Sequence, residues 1–130
     1  LTEGQLMLAT IATVVAGLLG AGLVLMGASA LIRPQGAAGF GIPDAPVDDP
    51  GFRPWLRVKG LREIVPGAFV FVLMAAATSS VLGWYLLVFA GIPAGDALVV
   101  LRSGGPKATA YGVHAATSAV MPATGVGLLV

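Results

Sequence analysis

LMLATIATVVAGLLGAGLVLMGASALI, residues 6–32, is a run of 27 residues without a charge. About 20 apolar residues in a helix cross a bilayer core, so this stretch predicts a membrane-spanning helix, tilted to fit its surplus length. Its small residues recur at helical spacing. Ala12, Ala16 and Gly20 fall on one line, and Thr13, Gly17 and Ala21 on the next. Small residues four apart let helix backbones approach closely in lipid. These lines suit packing inside the chain, or the seam of a homo-oligomer.

The composition points the same way. Of the 130 residues, 57% are apolar and 10% are charged. A soluble domain carries roughly a quarter charged residues, so this chain lacks the polar surface to cover itself in water. No basic tract would track phosphates, and no nucleic-acid partner is expected. With no cysteine, disulfides, thiolate catalysis and Cys-based redox or zinc chemistry are excluded. The chain begins at Leu1 rather than Met, so residues are expected to precede it. The first run is too long for the core of a signal peptide and has no basic flank.

Three further apolar runs follow, at about 55–77, 81–102 and 108–130. The expected fold is all-α, a single four-helix transmembrane bundle. Arg33-Pro34 ends the first helix. A Pro-, Gly- and Asp-rich loop of about 33–54 leads to the second. Asp44, Asp48 and Asp49 lack EF-hand spacing and read as turn and capping residues. Trp55, Arg57 and Lys59 read as headgroup-level residues, and Trp84 and Tyr85 as an aromatic belt. Pro66 interrupts the second run and Gly91-Ile92-Pro93 the third. In the fourth, Gly112 and Ala116 read as a close-packing line.

Lys and Arg set the orientation. Arg33, Arg53, Arg57, Lys59 and Arg62 belong to the first loop or its edge, and Arg102 and Lys107 to the third. In a four-span chain those two loops share one face. The positive-inside rule makes that face cytoplasmic, with both termini outside it in a multi-pass protein of the cell membrane.

At that face the sequence places its chemistry. Glu63 lies four residues past Lys59, Asp96 six before Arg102, and His114 seven after Lys107. At about 1.5 Å rise per residue, each sits about 6–10 Å below the basic rim. A charge inside a span costs several kcal/mol unless paired or wetted, so Asp96 should turn inward, towards Arg62 or His114. Two carboxylates, an imidazole and a guanidinium make an acid–base set with a partner for an anion or carbonyl. The expected catalytic residues are Asp96, His114 and Glu63. Arg62, Tyr111 and Trp55 are expected to bind substrate. An ion-paired cluster that only fixes helix register is the competing reading. No i, i+3 or i, i+4 ligand pair supports a metal, a haem would need a second His, and no phosphate loop is present. No metal or cofactor is expected.

At Gly60-Leu61-Arg62-Glu63, Gly95-Asp96-Ala97-Leu98-Val99-Val100 and His114, the chain resembles an uncharacterised bacterial family, a domain of unknown function. Its members are small four-helix integral membrane proteins, frequent in actinomycetes. They share Gly-x-Arg-Asp/Glu at the opening of helix two, Gly-Asp near the end of helix three and a His in helix four. The resemblance covers roughly residues 6–130 and implies the fold and the polar site without naming a reaction. The Ala, Gly, Val and Pro content suits a GC-rich actinomycete source.

These readings lead to a membrane-embedded acid–base enzyme acting on a lipophilic small molecule by isomerisation, cyclisation or epoxide opening. The loop from Arg33 to Pro54 would be its lid. A small transporter or proton-coupled carrier is the first alternative. A non-catalytic membrane subunit is the second.

Overall fold

The computed structural model describes Leu1–Val130 and is all-α. Helix α1, Glu3–Ile32, opens on a capping box. The Thr2 hydroxyl accepts from the Gln5 backbone N–H at 3.1 Å, and the Gln5 side chain accepts from the Thr2 N–H at 2.8 Å. Two donors that a helix start leaves free are thereby satisfied. Glu3 in the first turn suits the helix dipole.

Pro34 stops α1 and starts a 3-10 strap, Pro34–Phe40, which closes on Gly41 in the left-handed region. Asp44 takes a positive φ of 57°. The Asp49 side chain accepts from Gly51 N–H at 2.9 Å and caps a 3-10 turn, Pro50–Phe52. Helix α2 is Arg53–Ala76 and runs through Pro66. Thr78 caps α3, Ser79–Phe89, and only Ala90 separates it from α4, Gly91–Arg102. The break falls where Gly91-Ile92-Pro93 predicts one. The last rod is a short α5, Lys107–Thr109, a π turn, Ala110–Ala115, and α6, Ala116–Leu129.

Backbone contacts hold the rods together. α1 lies antiparallel along α2, with Gly20 facing Gly67 and Gly27 facing Gly60. A Cβ on Gly67 would lie 2.7 Å from the Gly20 carbonyl oxygen and 2.8 Å from Leu23 Cβ. α3 packs on α6 in the same way, and a Cβ on Gly83 would lie 2.8 Å from the Gly125 oxygen. α6 also runs along α1, with Gly127 against Ala12. Ala16, Val70, Leu86 and Met121 fill the core between these pairs. The Ala12-Ala16-Gly20 line is thus an interface within the chain.

The Gly112–Ala116 line is not one. Both residues are exposed, and a Cβ on Gly112 would meet nothing within 4 Å. The π turn adds a residue to the helix there and shifts the register that a 3.6-residue period predicts. The small residues that pack are Gly125 and Gly127, further along α6.

Large apolar side chains cover the outside. Val14, Leu25, Val65, Val88 and Val126 are half or more exposed. Two stretches are long and apolar enough to cross a membrane: Glu3–Ile32, with 30 residues, and Ser79–Arg102, with 24. The four spans expected from the sequence reduce to these two by that measure. α2 spends its first turns on Arg53, Arg57, Lys59, Arg62 and Glu63, and the last rod is divided by its π turn.

Candidate functional site

α2, α4, the π turn and the strap bring five polar or aromatic groups to the same place, two of them from α2. Glu63 and Arg62 stand on α2, one turn before Pro66. Asp96 stands on α4, His114 in the π turn and Phe40 at the end of the strap. All five border one cavity of about 230 Å³. Its other walls are largely apolar, including Leu19, Met26, Phe89, Ile92 and Met121. An apolar hollow with a few convergent polar groups is the usual form of a small-molecule site. A second hollow, about 410 Å³, lies beneath the strap and also touches Phe40, Lys59, Glu63 and His114. Phe40, Glu63 and His114 therefore stand between the two.

His114 is 5% exposed. Its Nε2 lies 2.8 Å from the Phe40 carbonyl oxygen, and the two rings meet at 4.4 Å between centroids. A carbonyl only accepts, so Nε2 carries the proton and donates. In the neutral ring Nδ1 is then left with a free lone pair. The π turn presents this side chain. Ala116 N–H reaches back to the Tyr111 carbonyl, one residue further than in an α-helix. Such turns occur often at functional sites.

Glu63 is ion-paired with Lys59, one turn earlier on α2. Lys59 Nζ also lies 4.8 Å above the Phe40 ring. The other carboxylate oxygen, Glu63 Oε2, is buried with no hydrogen-bond partner. Asp96 is half-buried on the cavity wall. The sequence reading pairs Asp96 with Arg62 or His114, but the pair that forms is Lys59–Glu63. Lys59 is four residues from Glu63 on the same helix and reaches it without crossing the cavity. Arg62 is exposed and borders the cavity from its rim.

The four groups expected to converge, Glu63, Asp96, His114 and Arg62, do line one cavity. Trp55 and Tyr111 do not join them. They are 68% and 59% exposed and border neither hollow. Trp55 sits in the first turn of α2, away from the cavity, and Tyr111 stands on the outer side of the π turn.

Sequence reasoning misses Phe40, whose useful atom is a backbone carbonyl, and the inward turn of Tyr85. The Tyr85 hydroxyl donates to the Pro66 carbonyl at 2.7 Å. Its ring stacks on the cavity-wall residue Phe89 at 4.3 Å and meets Phe69 edge-on at 5.5 Å. Trp84 and Tyr85 are adjacent on a helix, about 100° apart, so they point in different directions and need not share one belt.

Fold and site define a class. This is an all-α protein with two helical stretches long and apolar enough to cross a membrane and a cavity edged by two carboxylates, an imidazole and a guanidinium. Residues 20–128 match the family described as "Domain of unknown function (DUF4267)", and the chain belongs to that family. No curated protein and no solved structure matches the chain.

Proposed function

We propose that the chain is a four-helix protein of a bacterial cell membrane, with both termini outside. In this reading the cavity is the active site of an acid–base enzyme for a lipophilic small molecule. The apolar exterior supports the membrane reading. So does the charge pattern: all seven Lys and Arg fall at the strap end, and Glu3 is the charged side chain at the other.

The observation that carries the enzymatic reading is the cavity, where acceptors from three elements meet among apolar walls. Asp96 acts as general acid or base, and His114, through Nδ1, is its proton partner. Glu63 stabilises developing positive charge or orients water. Arg62 holds a carbonyl or anionic group. The strap, tied down through Phe40, covers the site.

The chemistry is isomerisation, cyclisation or epoxide opening, each of which needs a proton moved and no electron. In an isomerisation the base takes a proton from one carbon of the substrate and a proton returns at another. Exchange of that proton with solvent labels the product. The test is to incubate purified protein in nanodiscs with host lipid extract in D2O and to look for deuterated species by mass spectrometry. Deuterium should enter a lipid with the native protein and not with Asp96→Asn. Hydrolytic opening would instead add the mass of water.

A second reading has its own observations. Lys59 already holds Glu63, and Phe40 already holds His114, which suits a structural cluster. That reading expects neither deuterium nor water in any lipid.

A further inference from the structure

We infer that the inner cavity binds a compact, uncharged, apolar alcohol, whose hydroxyl donates to the Glu63 carboxylate on its wall. This rests on the site reading above but not on turnover.

Size comes first. A cavity of about 150 Å³ admits benzene. On that scale the 230 Å³ cavity takes on the order of ten non-hydrogen atoms. Its walls are chiefly aliphatic and aromatic, so the body of the ligand is hydrocarbon.

Polarity comes second. Glu63 Oε2 is buried and unpartnered, while the sister oxygen is occupied by Lys59. His114 donates its Nε2–H to the Phe40 carbonyl oxygen, and in the neutral ring Nδ1 is then an acceptor. Asp96 adds a third acceptor on the wall. The Thr117 hydroxyl is spent on the Val113 carbonyl at 2.7 Å. The cavity is therefore rich in acceptors, and a buried acceptor left unpaired is costly. A ligand that brings a donor removes that cost. A ketone or a plain hydrocarbon does not.

Charge comes third. Lys59 and Arg62 on α2 offset Glu63 and Asp96. With two cations against two anions, the fitting donor is a neutral hydroxyl rather than an ammonium group.

Menthol, menthone, p-menthane and menthylamine share one carbon skeleton and differ at the polar group. Each is titrated against the full chain in nanodiscs, at matched concentrations in the lipid, with protein melting as the readout. Menthol should bind at least about tenfold more tightly than menthone or p-menthane, the scale of one hydrogen bond to a charged group. It should also bind more tightly than menthylamine. In Glu63→Gln, whose amide can both donate and accept, the preference of menthol over menthone should collapse. If that variant does not fold, the native series decides alone. Menthol within threefold of menthone, tighter binding of menthylamine, or binding of none of the four overturns the inference. Menthol selectivity without deuterium or water entering any lipid leaves the inference standing and removes the enzymatic reading. Labelled product without alcohol selectivity does the reverse.

Discussion

His114 Nε2 and the carbonyl oxygen of Phe40 are 2.8 Å apart, although 74 positions separate them in the chain. That bond fastens the strap over the cavity and fixes the proton on one ring nitrogen. The chain has a single histidine, so its imidazole gives an unmixed nitrogen-15 NMR signal. The neutral ring should show the Nε2–H tautomer. An Nδ1–H tautomer would mean that Phe40 does not hold the ring.

The same bond should set the mobility of the strap. His114→Phe keeps a ring beside Phe40 and removes the donor. Amide hydrogen exchange across residues 34–41 should then quicken by about tenfold, the scale of one hydrogen bond. Exchange in α1 should be unchanged.

Gly67 faces the Gly20 carbonyl too closely for a side chain. Gly67→Ala should destabilise the fold by about 1–3 kcal/mol, as overpacking does. Gly95→Ala in α4 meets nothing within 4 Å and should leave the melting temperature unchanged or raise it, because alanine is the better helix former. Thermal unfolding in detergent compares the two.

Tyr85→Phe removes the hydroxyl from the Pro66 carbonyl and leaves the ring against Phe69 and Phe89. The expected loss is about 1 kcal/mol, read in the same melts. No loss would mean that another group satisfies that carbonyl.

Orientation is open to thiol labelling, since the chain has no cysteine. Ser80→Cys, at the end away from the basic rim, should react with an impermeant maleimide on intact cells. Ser103→Cys, beside Arg102, should react only after lysis. The reverse pattern would turn the protein over in the membrane.

Part of the fold and of the cavity was legible in the chain because long apolar helices can be arranged in few ways. A 27-residue run without charge allows few readings, and Ala12, Ala16 and Gly20 mark a packing face by spacing alone. Spacing from Lys59, Arg102 and Lys107 led to the expectation that Glu63, Asp96 and His114 converge, and the three do border one cavity. Which groups pair was not legible. Lys59 takes Glu63 because both lie on one helix, while depth arguments see only convergence between helices. Phe40 was hidden because every residue has a carbonyl, and nothing in a side chain announces which one a distant imidazole will find. The Gly112–Ala116 line misled because a π turn leaves no mark in the spacing that predicts faces.

The central claim is that Asp96 and His114 look into one space. Cysteines introduced as Asp96→Cys with His114→Cys, in a chain that otherwise has none, measure it directly through a short bifunctional thiol reagent. The pair should be bridged within one chain, while Asp96→Cys with Tyr111→Cys should not, because Tyr111 stands outside. Bridging of the Tyr111 pair, or none at position 114, would contradict the site.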